Sequence, residues 1–383
     1  MAYLERRLPL TQLLKDKSFF LFGPRATGKS TLIAKKLPEA ILYDLLDAEV
    51  FKRLLERPKL LAEENPDRSR LIIIDEIQRL PGLLNEVHRL ISKENRRFLL
   101  TGSSARKLRQ GGVNLLGGRA WRCDLFPLSW SEIPNFNLLR YLNHGGLPEV
   151  YLSDNFEEEL RAYVALYLRE EIQAESLTRN LQSFSSFLDV IALANAEEVN
   201  FQSLASDCGV STGTLKNYIQ ILEDTLLGFS LNGFTNTRKR KAVGRIKHYL
   251  FDIGVTNSLA KRGILKPGSE LFGRALEHWA VLEMRAYLSY TRSAHEMSYW
   301  RSVSQFEVDL LVGTNLAIEI KATELSQDKH LKGLRALKEE KIFDTYILVS
   351  MDPKPRKTED GIHILPWNVY AERLWAGNLV PKN

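Results

Sequence analysis

Apolar residues fall into two patterns along this chain. Phe19 to Phe22, Ala40 to Leu46 and Leu71 to Ile74 are short, nearly unbroken runs, and the segments between them carry apolar residues at helical spacing. A continuous run of leucine and β-branched residues is what a parallel strand covered on both faces requires. Strands are therefore predicted at 18–22, 40–47, 70–76, 97–104 and 120–125. Helices are predicted over 4–15 and 29–36, with more helix through Leu61. Phe126-Pro127-Leu128-Ser129 interrupts the alternation and marks a boundary.

The pattern then turns helical. Leu138 to Asn143 reads as a helix, His144-Gly145-Gly146-Leu147-Pro148-Glu149-Val150 as a tight glycine turn, and Glu157 to Glu175 as a long amphipathic helix whose Leu160, Tyr163, Leu166 and Tyr167 form a core stripe. Val199 to Ser211, reading as a short helix and a glycine turn, and a second helix from Thr212 to Leu227, with Ser211 as its N-cap, have helix-turn-helix spacing. The chain restarts at His248. A helix over 271–289, strands over 298–301, 307–312 and 316–321, a helix over 328–341 and a strand over 345–350 follow. Three domains are expected: 1–130, 131–240 and 241–383.

Composition narrows the class. With 383 residues, 44% hydrophobic and 26% charged, the chain has the makeup of a globular protein of two or three domains. No apolar run approaches the roughly 20 residues that span a bilayer, and Met1 to Arg7 lacks a signal-peptide core, so a cytoplasmic location is expected. Cys123 and Cys208 are the only cysteines, which excludes a cysteine-rich zinc site and argues against a disulfide. A net charge of +6 leans towards an anionic partner.

The chemistry starts at Gly23-Pro24-Arg25-Ala26-Thr27-Gly28-Lys29-Ser30-Thr31, a complete G-x-x-x-x-G-K-[ST] loop between a strand and a helix. Gly23 and Gly28 let the backbone turn so that N–H groups and the helix N-terminus point at phosphate oxygens. Lys29 is the candidate for the β- and γ-phosphates, and Ser30 for Mg²⁺. At the end of the third strand, Asp75 is the expected Mg²⁺ partner, and Glu76 is placed to polarise the attacking water. Thr101 or Ser103 is the candidate polar sensor of the γ-phosphate; the alternative for Ser103 or Ser104 is capping of the next helix. Arg119 reads either as an arginine finger for a neighbouring subunit or as a surface residue beside a turn.

Strand, phosphate loop, helix, acidic strand end and sensor-like strand together resemble the core of a prokaryotic AAA-type ATPase over residues 1 to about 130. The resemblance implies ATP, Mg²⁺ and a parallel sheet with the loop at the carboxyl ends of its strands. The helix-turn-helix resembles the winged-helix region of such ATPases. It reads either as a DNA reader using Thr212, Thr214, Lys216 and Asn217 or as a lid or joint. The glycine turn at 144–150 resembles a signature joining core to lid; His144 has no paired nucleophile, and a structural turn is the reading.

Thr237-Arg238-Lys239-Arg240-Lys241, with Arg245 and Lys247, is the densest basic run: either a solvated linker or a phosphate contact strip. Further on, Asp309 precedes Glu319-Ile320-Lys321 by ten positions. Glu319 and Lys321 share a strand face, Asp309 lies on the adjacent strand, and Glu277 comes from the preceding helix. Three carboxylates and a lysine suit metal-assisted phosphodiester hydrolysis, with Glu277, Asp309 and Glu319 holding Mg²⁺ or Mn²⁺ and Lys321 stabilising charge. This resembles the PD-(D/E)XK nucleases over roughly 248–350, with Val308 in place of the proline. The expected fold is α/β throughout: a P-loop NTPase sheet, a helical lid with winged helix, and a C-terminal restriction-endonuclease-like domain. The expected function is ATP hydrolysis coupled to action on nucleic acid, DNA favoured, with metal-dependent cleavage. The rival is a nucleotide-switched DNA- or protein-binding ATPase with a silent nuclease-like domain. Homo-oligomers are the setting in which Arg119 would act.

Overall fold

The computed structural model describes residues 3–103, 106, 116–168 and 181–381. The chain divides into two compact units. One comprises Glu5–Phe126 with Asp224–Leu227; the other comprises Met1–Leu4, Pro127–Glu223 and Gly228–Asn383.

The first unit is built on five parallel strands: β1 (Ser18–Phe22), β2 (Ile41–Asp44), β3 (Ile72–Asp75), β4 (Phe98–Gly102) and β5 (Ala120–Asp124), in the order β2-β3-β4-β1-β5. Every residue of β1 and β4 is buried, as their continuous apolar runs require, whereas edge strand β2 leaves Leu42 exposed. The order puts β4 between the phosphate-loop strand and the acidic strand, so Thr101 lies level with the ends of both. The helix expected over 4–15 is reduced to Leu10–Leu13. Pro9 stands at its start. Ahead of it, the buried Arg6 guanidinium donates to the carbonyls of Thr27 and Phe126, both at 2.6 Å, holding the leading segment as irregular chain.

The second unit has an eight-stranded mixed sheet of β6 (Gly228–Gly233), β7 (Ile246–Leu250), β8 (Met297–Arg301), β9 (Glu307–Val312), β10 (Leu316–Lys321), β11 (Thr345–Ser350), β12 (Arg356–Lys357) and β13 (His363–Pro366), ordered β12-β13-β11-β10-β9-β8-β6-β7. The sequence pattern indicates β8 to β11; β6, β7, β12 and β13 extend the sheet on both sides. The helix Glu270–Tyr290 contributes Trp279, Ala280 and Met284 to a core shared with Tyr299, Leu310, Ile318 and Val349. A second cluster joins Leu334 and Leu337 of the helix Lys332–Lys338 to Leu311, Ala317 and Leu348. Covered by helices on both sides, the central strands become the apolar runs visible in the sequence.

The helix-turn-helix consists of Phe201–Asp207, a turn at Gly209 (φ +63°) and Thr212–Asp224. Ser211 Oγ accepts from the Thr214 N–H at 3.1 Å, as expected of an N-cap. The long helix expected over 157–175 is described as Phe156–Ala162 followed by a wider turn over Tyr163–Leu168; its remainder lies outside the described residues. The helix expected to follow Ser104 falls outside them too, apart from Arg106.

Candidate functional sites

The nucleotide-type site forms where β1 ends. Gly28 (φ +90°) and Ala26 (φ +60°) adopt left-handed backbone, turning the chain into the helix Lys29–Lys36. Gly23 packs so tightly that a Cβ there would come 2.5 Å from the Leu125 carbonyl oxygen. Thr27 Oγ1 donates to the Pro24 carbonyl at 2.8 Å and closes the loop on itself. Lys29 is buried, and its Nζ donates to the carbonyls of Gly23 at 2.6 Å and Pro24 at 3.1 Å, which curls it over the loop. Backbone turned by left-handed residues ahead of a helix N-terminus, with a lysine folded across it, fits a polyphosphate in shape and charge. Arg25 is half-buried, and Ser30 and Thr31 are exposed at the start of the helix.

The acidic pair is ordered by β4. The Thr101 hydroxyl hydrogen-bonds Asp75 Oδ1 and accepts from the Glu76 N–H at 3.3 Å. Glu76 itself is in the left-handed region (φ +57°), an uncommon state for a glutamate and one that clusters at functional positions. Gln78 Nε2 donates to Glu76 Oε2. Burial raises the Glu76 pKa, with the Lys29 charge opposing that rise. Ser103 is buried near the same strand end. Thr101 is therefore the hydroxyl tied to the acidic pair. Gln78 is a participant that the sequence reading missed, and no spacing rule pointed to it. Arg119 lies exposed after the glycine turn Gly117 (φ +49°) and Gly118 (φ +79°).

In the second unit the structure brings Glu277, Asp309, Glu319 and Lys321 together and adds residues that the sequence reading left out. The Ile320 N–H donates to Asp309 Oδ2 at 2.8 Å, bridging β10 to β9. Lys321 Nζ lies 2.6 Å from Glu319 Oε1 and 3.7 Å from Asp309 Oδ2. At the other end of the cluster, Lys247 of β7 extends its Nζ to Glu307 Oε1 (2.5 Å), Glu277 Oε1 (3.2 Å) and Asp309 Oδ1 (3.7 Å). The Tyr249 hydroxyl donates to Glu277 Oε1 at 2.8 Å. Glu198 closes the rim, with Arg245 at 3.6 Å and Arg301 at 3.5 Å. β6 pairs with β8 at only two positions, Asn232↔Ser298 and Gly233↔Tyr299. Beyond that short pairing, Lys247 of the outer strand reaches the carboxylates of β9.

The electrostatics follow from burial. Burial and the neighbouring Asp309 and Glu307 charges raise the Glu277 pKa, against the pull of Lys247. Burial and Asp309 push Glu319 well above the carboxylate range, opposed by Lys321. Burial works against the charge on Lys247, yet Glu277, Asp309 and Glu307 hold its pKa above that of an ordinary lysine. Glu319 Oε2 is buried without a hydrogen-bond partner. Among the described residues, no group of three or more His, Cys, Asp or Glu side chains is arranged to hold a metal ion. The acids expected to ligate one are instead drawn onto lysine ammonium groups, so the residues as arranged do not fit a divalent ion. Alternation puts Lys247 and Tyr249 on one face of β7 and Glu307 and Asp309 on one face of β9, and the sheet order brings those faces together.

Two other motifs acquire structural explanations. Asp252 Oδ2 accepts from the Gly146 N–H at 2.7 Å while Oδ1 caps the Val255 N–H at 3.0 Å, so the glycine turn at 144–150 is clamped to the helix Ile253–Leu259. His144 stacks on Phe156 with ring centroids 3.7 Å apart, and burial lowers its pKa to about 4. In the basic run, Glu340 accepts the N–H groups of Arg238 and Lys239 at 2.8 Å each and of Arg240 at 2.9 Å. That stretch is fastened to the protein.

Residues 15–134 match the AAA domain family, 135–265 a domain of unknown function (DUF8612) and 272–370 a domain of unknown function (DUF4143). The chain is thus similar to prokaryotic AAA-type ATPases through the part that carries the phosphate loop. It is 26% identical to an uncharacterized protein of Methanocaldococcus jannaschii over 85% of this chain and 79% of that one. It is 25% identical to an uncharacterized protein of Haemophilus influenzae over 74% and 79%. A solved structure of a Signal Transduction ATPase with Numerous Domains (STAND) protein with a tetratricopeptide repeat sensor, from Pyrococcus horikoshii, aligns at 14% identity and a TM-score of 0.26, covering 76% of this chain and 48% of that one. No helix among the described residues is long and apolar enough to cross a membrane.

Proposed function

We propose that the protein binds and hydrolyses ATP at the Gly23–Thr31 loop and uses the nucleotide state to control how the rest of the chain engages nucleic acid, DNA in the first instance. The observation that carries the hydrolysis is the acidic pair beyond the phosphate loop: Glu76, held in left-handed backbone, raised in pKa and tethered by Gln78, beside an Asp75 fixed by Thr101. Mg²⁺ bound with ATP would supply charge neutralisation at the phosphates. Lys29 and the loop N–H groups would bind the phosphates, Ser30 and Asp75 would hold the Mg²⁺, and Glu76 would orient and deprotonate the attacking water. Arg119 is the candidate finger between copies. The test is ATP turnover by the parent and by Glu76→Gln. Nucleotide binding is expected to survive while turnover falls about 10²- to 10⁴-fold, the usual worth of a positioned base. Unchanged turnover refutes the role.

For the C-terminal unit, the contact of Lys247 with three carboxylates favours the platform reading over the cleaving one: a nuclease-like domain, silent in this arrangement, that with the helix-turn-helix holds nucleic acid or a protein partner. Metal-dependent cleavage draws its support from the meeting of Asp309, Glu319 and Lys321. Incubating plasmid with Mg²⁺ or Mn²⁺, with and without ATP, separates the two. The platform reading expects no cleavage by the parent; cleavage that Asp309→Ala abolishes would replace it with the nuclease reading.

A further inference from the structure

We propose that Lys247 is the resident cation of the acidic cluster, its ammonium engaging the Glu277 and Asp309 oxygens that a divalent ion would need.

Lys247 is only 3% exposed, and its Nζ is within 4 Å of three carboxylates from two elements, the helix Glu270–Tyr290 and β9. Its backbone is fixed on both sides, by the pairing Leu231↔Lys247 and by the bridge Glu198↔Lys247, so it belongs to the sheet. A divalent ion bound to oxygens at about 2.1 Å would meet the ammonium, which already holds Glu277 Oε1 and approaches Asp309 Oδ1. Two cations competing for the same oxygens exclude one another. A second observation points to unused ligand capacity: Glu319 Oε2 has no hydrogen-bond partner although the residue is 5% exposed. Overall, the carboxylates of Glu198, Glu277, Glu307, Asp309 and Glu319 face the cations Arg245, Lys247, Arg301 and Lys321. Loss of the Lys247 ammonium frees the oxygens of Glu277 and Asp309 for another cation. The face is kept metal-free by this lysine while its acids remain in place. The inference rests on the platform reading for the identity of this face, but its test is metal binding, independent of cleavage or ATP.

The experiment is an Mn²⁺ titration of the nucleotide-free full chain, followed by the electron paramagnetic resonance of free Mn²⁺. It compares the parent, Lys247→Ala combined with Glu307→Gln, and that pair with Asp309→Asn added. Glu307→Gln removes one negative charge together with the lysine, which protects folding, and circular dichroism melting checks it. The double variant is expected to bind one Mn²⁺ per chain at least tenfold more tightly than the parent, and Asp309→Asn to abolish that gain. A folded double variant that binds no more tightly than the parent overturns the inference. Should the double variant not fold, the parent against Asp309→Asn decides: a parent with no Mn²⁺ site sensitive to Asp309 supports the inference, and a parent with one overturns it. Failure of the platform reading appears separately, as cleavage by the parent.

Discussion

Lys29 and Lys247 are both buried lysines set close to acidic side chains, yet their hydrogen-bonding partners differ. Lys29 Nζ donates to the carbonyl oxygens of Gly23 and Pro24, groups that carry no net charge. Lys247 Nζ lies among Glu277, Glu307 and Asp309. A charged bond to a neutral carbonyl is weaker than one to an anion in a water-poor site, so on the proposed reading a phosphate would draw Lys29 from the loop carbonyls. Three carboxylates offer no such opening. On the proposed reading, the difference separates a lysine kept for a ligand from a lysine that has become part of the structure, although both are buried.

The comparison can be broken most forcefully at Lys247. Lys247→Met removes the buried cation that Glu277, Glu307 and Asp309 share, so stability should fall by about 3–5 kcal/mol, measured by urea unfolding of the full chain. A loss under 1 kcal/mol would show that the ammonium is not the counter-ion of this cluster.

Glu283 sharpens the contrast, because its charge is met by hydrogen-bond donors: the Trp130 N–H at 2.8 Å and Trp375 Nε1 at 2.7 Å. Burial outweighs these bonds, and with Glu132 adding to it the pKa rises to about 8. A carboxyl raised above its unfolded value contributes stability that is complete below that value and is lost as pH climbs through the folded pKa. Asp252, raised to about 6, and His248 and His278, both lowered to about 3 by burial, change charge mainly below pH 6.5. Between pH 6.5 and 8, the Glu283 contribution to stability should therefore fall by up to about 1.4 kcal/mol per pH unit, added to the fall from Glu319, which is raised as well, and Glu283→Gln should lessen the slope in thermal melts. An unchanged slope would place the titration elsewhere.

The smallest effect is expected at Lys321. Its side chain is 40% exposed, so solvent screens its pairing with Glu319 and Asp309. Lys321→Met should cost under about 1 kcal/mol; a cost equal to that of Lys247→Met would erase the distinction between the two ends of the cluster.

The nucleotide loop was legible in the sequence because its requirements are local: glycines at fixed offsets, a lysine, an apolar strand before and a helix after. The strands β1, β3, β4 and β9 to β11 were legible because burial on both faces writes largely apolar runs. What the sequence concealed depends on contacts across the fold. Lys247 stands in a basic run, where its neighbours suggest solvent or phosphate; only the packing of β7 towards β9 turns it inward. Glu340 gathers three N–H groups of that run from about a hundred residues away, a pairing that no local pattern encodes. Arg6 likewise overrides a helical pattern over 4–15 through bonds to Thr27 and Phe126.

The most direct measurement of the central claim is calorimetric titration of Mg²⁺-ATP into the parent, Lys29→Ala and Lys247→Met. The account predicts one nucleotide per chain for the parent and for folded Lys247→Met, with affinity lost on the order of 100-fold in Lys29→Ala, equivalent to about 2.7 kcal/mol. A parent that binds no nucleotide, or a Lys29→Ala chain that binds it as tightly as the parent, would contradict it.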